Sequence, residues 1–221
     1  MKPDLTHYDA VIFDMDGVLI DSEPLWKIAM EQVFSALGSQ LTKQDFQRTV
    51  GLRLDEVIRY WHQQEGWRDV SPESVEHQIV DKMKALIREH PFPLPGVIET
   101  LEFLRQSGKK IGLATSSYET LIDTVLGSLQ LTESFDFTHS AEHESHGKPH
   151  PAVYLTVSNQ LEINPTRCLV IEDSLNGIIS AKAARMKVVC IPEKTHHPEP
   201  KLSLADYRFE TMLDLVNSWK S

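Results

Sequence analysis

The chain has 221 residues, of which 41% are hydrophobic and 24% charged, and its formal net charge is −10. This composition is typical of a globular protein with a large core, and it lacks the clustered Lys and Arg of a nucleic-acid-binding surface. No apolar stretch approaches the ~20 residues that span a bilayer, and the N-terminus lacks the apolar region of a signal peptide. We therefore expect a cytoplasmic protein that binds neither nucleic acid nor membrane.

The first strong signal is the stretch YDAVIFDMDGVLIDS, residues 8–22. Its unbroken apolar run, Ala10–Phe13, predicts a strand buried on both faces of a parallel sheet. Two carboxylates, Asp14 and Asp16, and then Gly17 follow the strand at the end where such sheets bind ligands. A solvated turn is the simpler alternative. A calcium loop is excluded, because apolar residues occupy its fifth and sixth positions counted from Asp14.

Residues 23–89 show helical periodicity and no strand pattern. Ser71 is the expected N-cap of the last of these helices. The proline-rich segment that follows, residues 90–96, cannot continue a helix. We therefore expect an all-helical domain, residues 21–92, inserted into a core domain formed by residues 1–20 and 93–221. The predicted helices of the insert are Glu23–Leu37, Thr42–Thr49, Leu54–Gln64 and Pro72–Glu89.

After residue 96 apolar strand patterns alternate with helical ones. Such alternation predicts an α/β fold, a doubly wound, Rossmann-like parallel sheet with helices on both faces. Cys168 and Cys190 fall in its apolar runs and are expected to be small core residues. The predicted strands are Lys110–Ala114, Phe135–Thr138, Cys168–Ile171 and Val188–Ile191; the predicted helices are Val97–Gln106, Tyr118–Leu129, Pro151–Leu161 and Leu175–Ala184, with a last strand-helix pair over Tyr207–Trp219.

Polar residues follow the later strands as they follow the first. Thr115 and Ser116 come after one strand, where a hydroxyl and a free N–H could hold a phosphate oxygen or simply cap the next helix. Lys148 is set between Gly147 and the Pro-His-Pro segment, so that its backbone is fixed as a phosphate clamp requires, although a solvated loop lysine is the simpler interpretation.

A pair of acids, Glu172 and Asp173, ends another strand, where it could cap the following helix. If the strands are neighbours, these acids share a pocket with Asp14 and Asp16. Two like charges ~4 Å apart repel by about 4 kcal/mol at an effective dielectric constant of 20, so a cation is needed. Oxygen ligands without nearby His or Cys favour Mg²⁺.

The four strand ends in this order resemble the haloacid dehalogenase superfamily. The matching motifs are Asp14–Gly17, Thr115, Lys148 and the pair Glu172–Asp173. The resemblance covers essentially the whole chain, including a helical cap domain inserted after the first strand. It implies an enzyme, and the acid at position 16 implies phosphoryl transfer rather than dehalogenation.

The resemblance also implies a role for each motif residue. Asp14 would attack phosphorus and become an aspartyl-phosphate, and Asp16 would act first as general acid and then as general base. Mg²⁺ would bind Asp14, the backbone carbonyl of Asp16 and Asp173, with Glu172 orienting these ligands or their waters. The phosphate-binding residues would be Asp14, Asp16, Thr115, Ser116 and Lys148.

The helical insert resembles that of bacterial phosphatases that act on 2-deoxyglucose 6-phosphate and related hexose or hexitol phosphates. The similar segments are residues 21–26, which include Trp26, and residues 51–53, which include Arg53. Trp26 could offer a flat face to a sugar or fill the cap core, and Arg53 could reach the substrate or remain solvated. The expected partner is a small-molecule sugar phosphate, and we expect a monomer.

Two other functions remain as alternatives. β-Phosphoglucomutase shares the four motifs and the cap, but it uses a histidine at the position of Trp26, so a phosphatase is favoured. Response-regulator receivers also combine an aspartyl-phosphate, an acid pair, a hydroxyl and a lysine on a doubly wound sheet. Their phosphorylated aspartate follows a middle strand and they lack a large insertion, which disfavours a signalling module.

Overall fold

The structure, a computed structural model, describes residues 2–42, 44–49, 52–68, 70–192 and 200–221. The chain divides into two compact units, Met1–Asp21 with Phe92–Ser221 and Ser22–Pro91. We call the first the sheet unit and the second the helical unit. Within the described ranges, none of the helices has the length and apolar character needed to cross a bilayer.

The sheet unit contains one six-stranded parallel sheet, which confirms the predicted α/β fold. Its strands are β1 (Ala10–Phe13), β2 (Lys110–Thr115), β3 (Phe137–Ser140), β4 (Cys168–Glu172), β5 (Lys187–Cys190) and β6 (Tyr207–Arg208). Their spatial order is β3-β2-β1-β4-β5-β6, so β1 lies between β2 and β4. Every β1 side chain is fully buried, which explains its unbroken apolar sequence.

Helices alternate with these strands along the chain. They are α4 (Val97–Gln106), α5 (Glu119–Leu129), α6 (Ala152–Gln160), α7 (Leu175–Ala183) and α8 (Met212–Lys220). Ala10 and Ile12 of β1 belong to a core shared with residues of α6 and α7. Because strand side chains alternate in direction, Val11 and Phe13 are buried on the opposite face. The sheet is therefore covered on both faces.

One strand begins two residues later than predicted. β3 starts at Phe137, whereas the pattern placed its start at Phe135. The Phe135 ring instead packs edge-on against Phe13, at 6.0 Å between centroids. Asp136 then turns its carboxylate toward β2, where it accepts hydrogen bonds from Ile111 N–H at 2.8 Å and Lys110 Nζ at 2.9 Å. The Asp136 N–H still donates to Ile111 O at 2.8 Å, so the carboxylate replaces only the backbone acceptor for Ile111 N–H, and regular pairing starts at Phe137.

The helical unit contains α1 (Glu23–Ala36), α2 (Leu54–Glu65) and α3 (Pro72–Glu89). Ser71 caps α3 as predicted, its Oγ accepting a hydrogen bond from Ser74 N–H at 3.2 Å. The predicted helix Thr42–Thr49 was too long, because only a 3₁₀ helix, Asp45–Thr49, is described there. The Asp45 carboxylate accepts hydrogen bonds from Thr42 N–H and Thr42 Oγ1, which favours a local turn over a longer helix. The core of the helical unit is mostly aliphatic and includes a packed aromatic pair, Phe34 and Trp67, whose ring centroids lie 4.8 Å apart.

Candidate active site

The polar strand ends meet where β1 is flanked by β2 and β4. Phe13 is in register with Leu113 on one side and with Ile171 on the other. Asp14, the next residue, donates its N–H to Ile171 O at 3.0 Å. The carboxyl ends of these three strands therefore lie side by side, at the position where parallel sheets bind ligands.

Lys148 connects these strand ends through its ammonium group. Its Nζ donates to Asp14 Oδ1 at 2.8 Å, to Glu172 Oε1 at 2.7 Å and to Ala114 O at 3.0 Å, which uses all three of its N–H donors. The side chain is only 5% exposed. Burial alone would lower the pKa of Lys148, but the charges of Asp14 and Glu172 raise that pKa above its usual value. Lys148 is thus a fixed buried cation rather than a solvated loop lysine.

Glu172 is fully buried and surrounded by hydrogen-bond donors. Its Oε1 accepts from Lys148 Nζ and from Tyr154 OH at 2.8 Å. Its Oε2 accepts from Asp173 N–H and Ser174 N–H at 3.0 Å and from Ser174 Oγ at 2.9 Å. Burial alone would raise the pKa of Glu172, but Lys148 and the other donors hold that pKa below its usual value. These contacts make Glu172 a charged anchor for Lys148.

Asp14 has a less favourable environment for its charge. Burial and the repulsion of Glu172 and Asp16 raise the pKa of Asp14 to about 7, although Lys148 acts in the opposite direction. A further cation beside Asp14 would stabilise its charged form.

The donor set suits a hard divalent cation. Asp14, Glu172 and Asp173 each present a carboxylate oxygen, and these oxygens lie within 4.8 Å of one another. Asp173 projects over the turn after β1, where Gly17 has φ +71° and an added Cβ would overlap the Asp173 carboxylate. Because Gly17 has no side chain, the Asp173 carboxylate can approach the carboxylate of Asp14. Clustered carboxylates without His or Cys match the ligand preference of Mg²⁺.

Hydroxyl groups at the end of β2 and in the turn after it contact Asp16. Ser117 Oγ donates to Asp16 Oδ2 at 2.7 Å, and the Thr115 Oγ1 lies 3.4 Å from the same oxygen. The Ser117 N–H donates to Thr115 Oγ1 at 3.1 Å. Ser116, by contrast, is exposed. The structure therefore brings Thr115 and Ser117 together with Asp16.

Three residues of this site were absent from the sequence prediction: Ser117, Tyr154 and Ser174. Tyr154 fits the apolar pattern of α6, so periodicity alone indicates a core residue. A buried tyrosine hydroxyl needs a partner, however, and this requirement was the available signal. Ser174 is the N-cap of α7, and the same hydroxyl that accepts from Gly177 N–H donates to Glu172.

The helical unit contains the other two predicted site residues. Trp26 lies in the first turn of α1 and is half-buried. Arg53 is the N-cap residue of α2, and its Nε lies 3.2 Å from Asp55 Oδ1. Gly51, which belongs to the same sequence similarity, lies outside the described residues. A role for Trp26 or Arg53 toward substrate stays a prediction.

Gly177 offers a test of how tightly Glu172 is enclosed. An alanine Cβ at this position in α7 would overlap the Glu172 carboxylate. We expect Gly177→Ala to destabilise the protein by about 1–3 kcal/mol, as overpacking of a dense site does. The matched control is Gly127→Ala in α5, where the added Cβ meets open space and better helix propensity should stabilise by up to about 1 kcal/mol. Thermal unfolding of both variants tests this, and equal melting temperatures would contradict it.

Comparison with known proteins places this chain in a family. Residues 11–191 match the family model of the haloacid dehalogenase-like hydrolases. The chain is 37% identical to hexitol phosphatase B of Escherichia coli K12 over 208 residues, 94% of each chain. It is 34% identical to the phosphorylated carbohydrates phosphatase of Thermotoga maritima over 176 residues, 80% of this chain and 81% of that protein.

A solved structure shows the same architecture. The β-phosphoglucomutase of Clostridium difficile superposes with a TM-score of 0.79 at 25% identity, over 96% of this chain and 99% of that one. Family model, relatives and fold agree with the resemblance that the four motifs indicated. The chain belongs to the haloacid dehalogenase-like hydrolases and is an enzyme.

Proposed function

We propose that this enzyme hydrolyses sugar phosphates with Mg²⁺ through an aspartyl-phosphate on Asp14. The observation that carries the proposal is the buried Lys148 ammonium, which bridges Asp14 and Glu172 at adjoining strand ends. A fixed cation beside a buried carboxylate, with a second carboxylate two residues further on, provides the parts for nucleophilic phosphoryl transfer.

The reaction has two steps. A carboxylate oxygen of Asp14 attacks phosphorus, and the bond from phosphorus to the sugar oxygen breaks as Asp16 donates a proton to that oxygen. Asp16 then takes a proton from a water molecule, whose oxygen attacks the phosphorus. The bond from phosphorus to Asp14 breaks, and inorganic phosphate and free Asp14 are restored. Ser117 orients Asp16 for both proton transfers.

The negative charge on the phosphoryl oxygens is stabilised by groups that are already positioned at the strand ends. Lys148 supplies a full positive charge, and the Thr115 hydroxyl and Ser116 N–H supply dipoles at the end of β2. Thr115 exchanges its long contact with Asp16 for a phosphoryl oxygen. Since these groups are held before substrate arrives, little reorganisation accompanies the reaction.

The metal ligands in this proposal are Asp14, Asp173 and the backbone carbonyl of Asp16. Glu172 orients the site, because both of its oxygens accept hydrogen bonds from the protein. Bound Mg²⁺ would supply positive charge to offset that of the carboxylates and phosphoryl oxygens.

The names of the relatives support a carbohydrate substrate. Hexitol phosphatase B and the phosphorylated carbohydrates phosphatase are both named for sugar or sugar-alcohol phosphates. Under this proposal the helical unit is a cap that excludes bulk water and selects among hexose and hexitol phosphates, such as 2-deoxyglucose 6-phosphate. We propose a cytoplasmic location, which fits two buried free cysteines, and a monomer.

Phosphate release from a panel of sugar phosphates tests the proposal. The panel contains 2-deoxyglucose 6-phosphate, glucose 6-phosphate, a hexitol phosphate and β-glucose 1-phosphate, each with Mg²⁺ and with a chelator. We expect Mg²⁺-dependent release that the chelator abolishes and excess Mg²⁺ restores. Conversion of β-glucose 1-phosphate to glucose 6-phosphate without release would instead establish the mutase, which the structural similarity to β-phosphoglucomutase keeps as the second candidate.

Trp26→Ala tests the proposed role of the cap in selecting the sugar. If the indole touches the sugar, this variant should change relative kcat/KM values among hexose phosphates by about fivefold, the order expected from losing an aromatic contact of ~1 kcal/mol. Hydrolysis of an aryl phosphate should change less. Trp219→Ala in α8 is the matched control, because that indole donates to Pro3 O in the sheet unit. Equal effects of Trp26→Ala on sugar and aryl phosphates would indicate packing alone.

A further inference from the structure

The Tyr154 hydroxyl is a neutral side-chain donor to Glu172 Oε1. Tyr154 is fully buried in α6, and its OH lies 2.8 Å from that oxygen. The same ring lies beside Lys148, whose Nζ is 4.8 Å from the ring centroid. A single side chain therefore contacts both members of the buried Lys148–Glu172 ion pair.

The position of the Lys148 ammonium depends on a balance between two carboxylates. Asp14 Oδ1 and Glu172 Oε1 accept from it at 2.8 and 2.7 Å, and Ala114 O takes its third N–H. A phosphoryl oxygen that binds Lys148 must therefore replace one of these acceptors or share a hydrogen with it. A stronger pull by Glu172 would draw the ammonium away from Asp14.

Only one oxygen of Glu172 takes part in this balance. Its Oε2 is held by the N–H groups of Asp173 and Ser174 and by Ser174 Oγ. Its Oε1 is shared between Lys148 and Tyr154. The tyrosine hydroxyl thus takes up part of the negative charge that would otherwise act on the ammonium alone.

We infer that Tyr154 is a positioning residue, which keeps the Lys148 ammonium directed at Asp14 and the phosphoryl group by holding Glu172 Oε1 and placing its ring beside Nζ. The inference rests on the proposed phosphatase function, because Lys148 is given its role there. The ring and the hydroxyl act separately, because the ring lies beside the Lys148 ammonium and the hydroxyl donates to the Glu172 carboxylate.

Tyr154→Phe separates the two contacts, because it removes the hydroxyl that contacts Glu172 and keeps the ring beside Lys148. We expect kcat for a sugar phosphate to fall by about 10- to 100-fold, the usual effect of losing a group that orients a site residue. The KM should change by less than about threefold. Affinity for vanadate, which adopts the five-coordinate geometry of phosphoryl transfer, should fall in parallel with kcat, whereas affinity for inorganic phosphate should change less.

The matched control removes another buried tyrosine hydroxyl. Tyr8 precedes β1, at the end of the strand opposite Asp14, and its OH lies 3.4 Å from Tyr207 OH. Tyr8→Phe should leave kcat and vanadate affinity unchanged. Rates for all variants are normalised to the folded fraction measured by thermal unfolding.

A double-mutant cycle tests whether Tyr154 acts through Glu172. In a Glu172→Gln background, Tyr154→Phe should lower kcat by less than about threefold, because the carboxylate charge that the hydroxyl balances is absent. The full 10- to 100-fold cost in that background would overturn the inference, as would unchanged kcat and vanadate affinity in Tyr154→Phe alone. Absence of phosphate release from the wild-type enzyme would instead contradict the proposed function.

Discussion

Asp14→Asn should lower kcat for phosphate release by at least about 10⁴-fold, the scale seen when an enzyme loses its nucleophile. The amide cannot form the acyl-phosphate, although it retains the shape of the carboxylate. The fold should persist, because Lys148 keeps Glu172 and Ala114 O as acceptors. Steady-state phosphate release and thermal unfolding together measure both parts of this expectation.

An exposed aspartate in the same unit provides the control for this substitution. Asp123 lies on α5 with its side chain in solvent, so Asp123→Asn should leave kcat unchanged. Wild-type turnover by Asp14→Asn would remove Asp14 as the nucleophile. A large loss of melting temperature in the same variant would give the residue a structural role instead.

Lys148→Ala should affect both stability and turnover. Without the ammonium, Asp14 and Glu172 are buried carboxylates that have lost their cation, and breaking a buried ion pair costs about 3–5 kcal/mol. Loss of a preorganised charge at the phosphoryl group should also lower kcat/KM by at least about 10³-fold. Denaturant titration and steady-state kinetics measure the two effects separately.

Lys110→Ala is the matched control for the loss of a lysine. Lys110 pairs with Asp136 at 2.9 Å, but its side chain is half-exposed. An exposed pair contributes less than about 1 kcal/mol, so this variant should remain stable and active. Similar kcat/KM values for Lys148→Ala and Lys110→Ala would contradict the assignment of Lys148.

The strand ends of the site were predictable because each combines two simple signals. An apolar run predicts the strand, and a charged residue directly after that run, as at Asp14 and Glu172, is expected at the ligand-binding edge of a parallel sheet. Lys148 does not follow a strand directly. Its position in the site was predicted from the prolines that follow it and from the resemblance to a known family.

Site residues whose role depends on the direction of their side chains could not be predicted from strand patterns. Thr115, Ser116 and Ser117 are consecutive hydroxyls, and only the turn after β2 determines that Ser117 makes the 2.7 Å hydrogen bond to Asp16. Tyr154 has the spacing of a core residue, because periodicity records which face of a helix is buried but not what a hydroxyl contacts. The start of β3 was misplaced for a similar reason, since the Asp136 carboxylate, rather than a backbone carbonyl, accepts from Ile111 N–H.

The proposed aspartyl-phosphate can be detected from the mass of the protein after rapid acid quenching during turnover of an aryl phosphate with Mg²⁺. We expect one added phosphoryl group, which borohydride reduction and peptide mapping locate on Asp14, and we expect none in Asp14→Asn. Turnover without any phosphorylated protein, or with the phosphoryl group on another residue, would contradict the proposed mechanism.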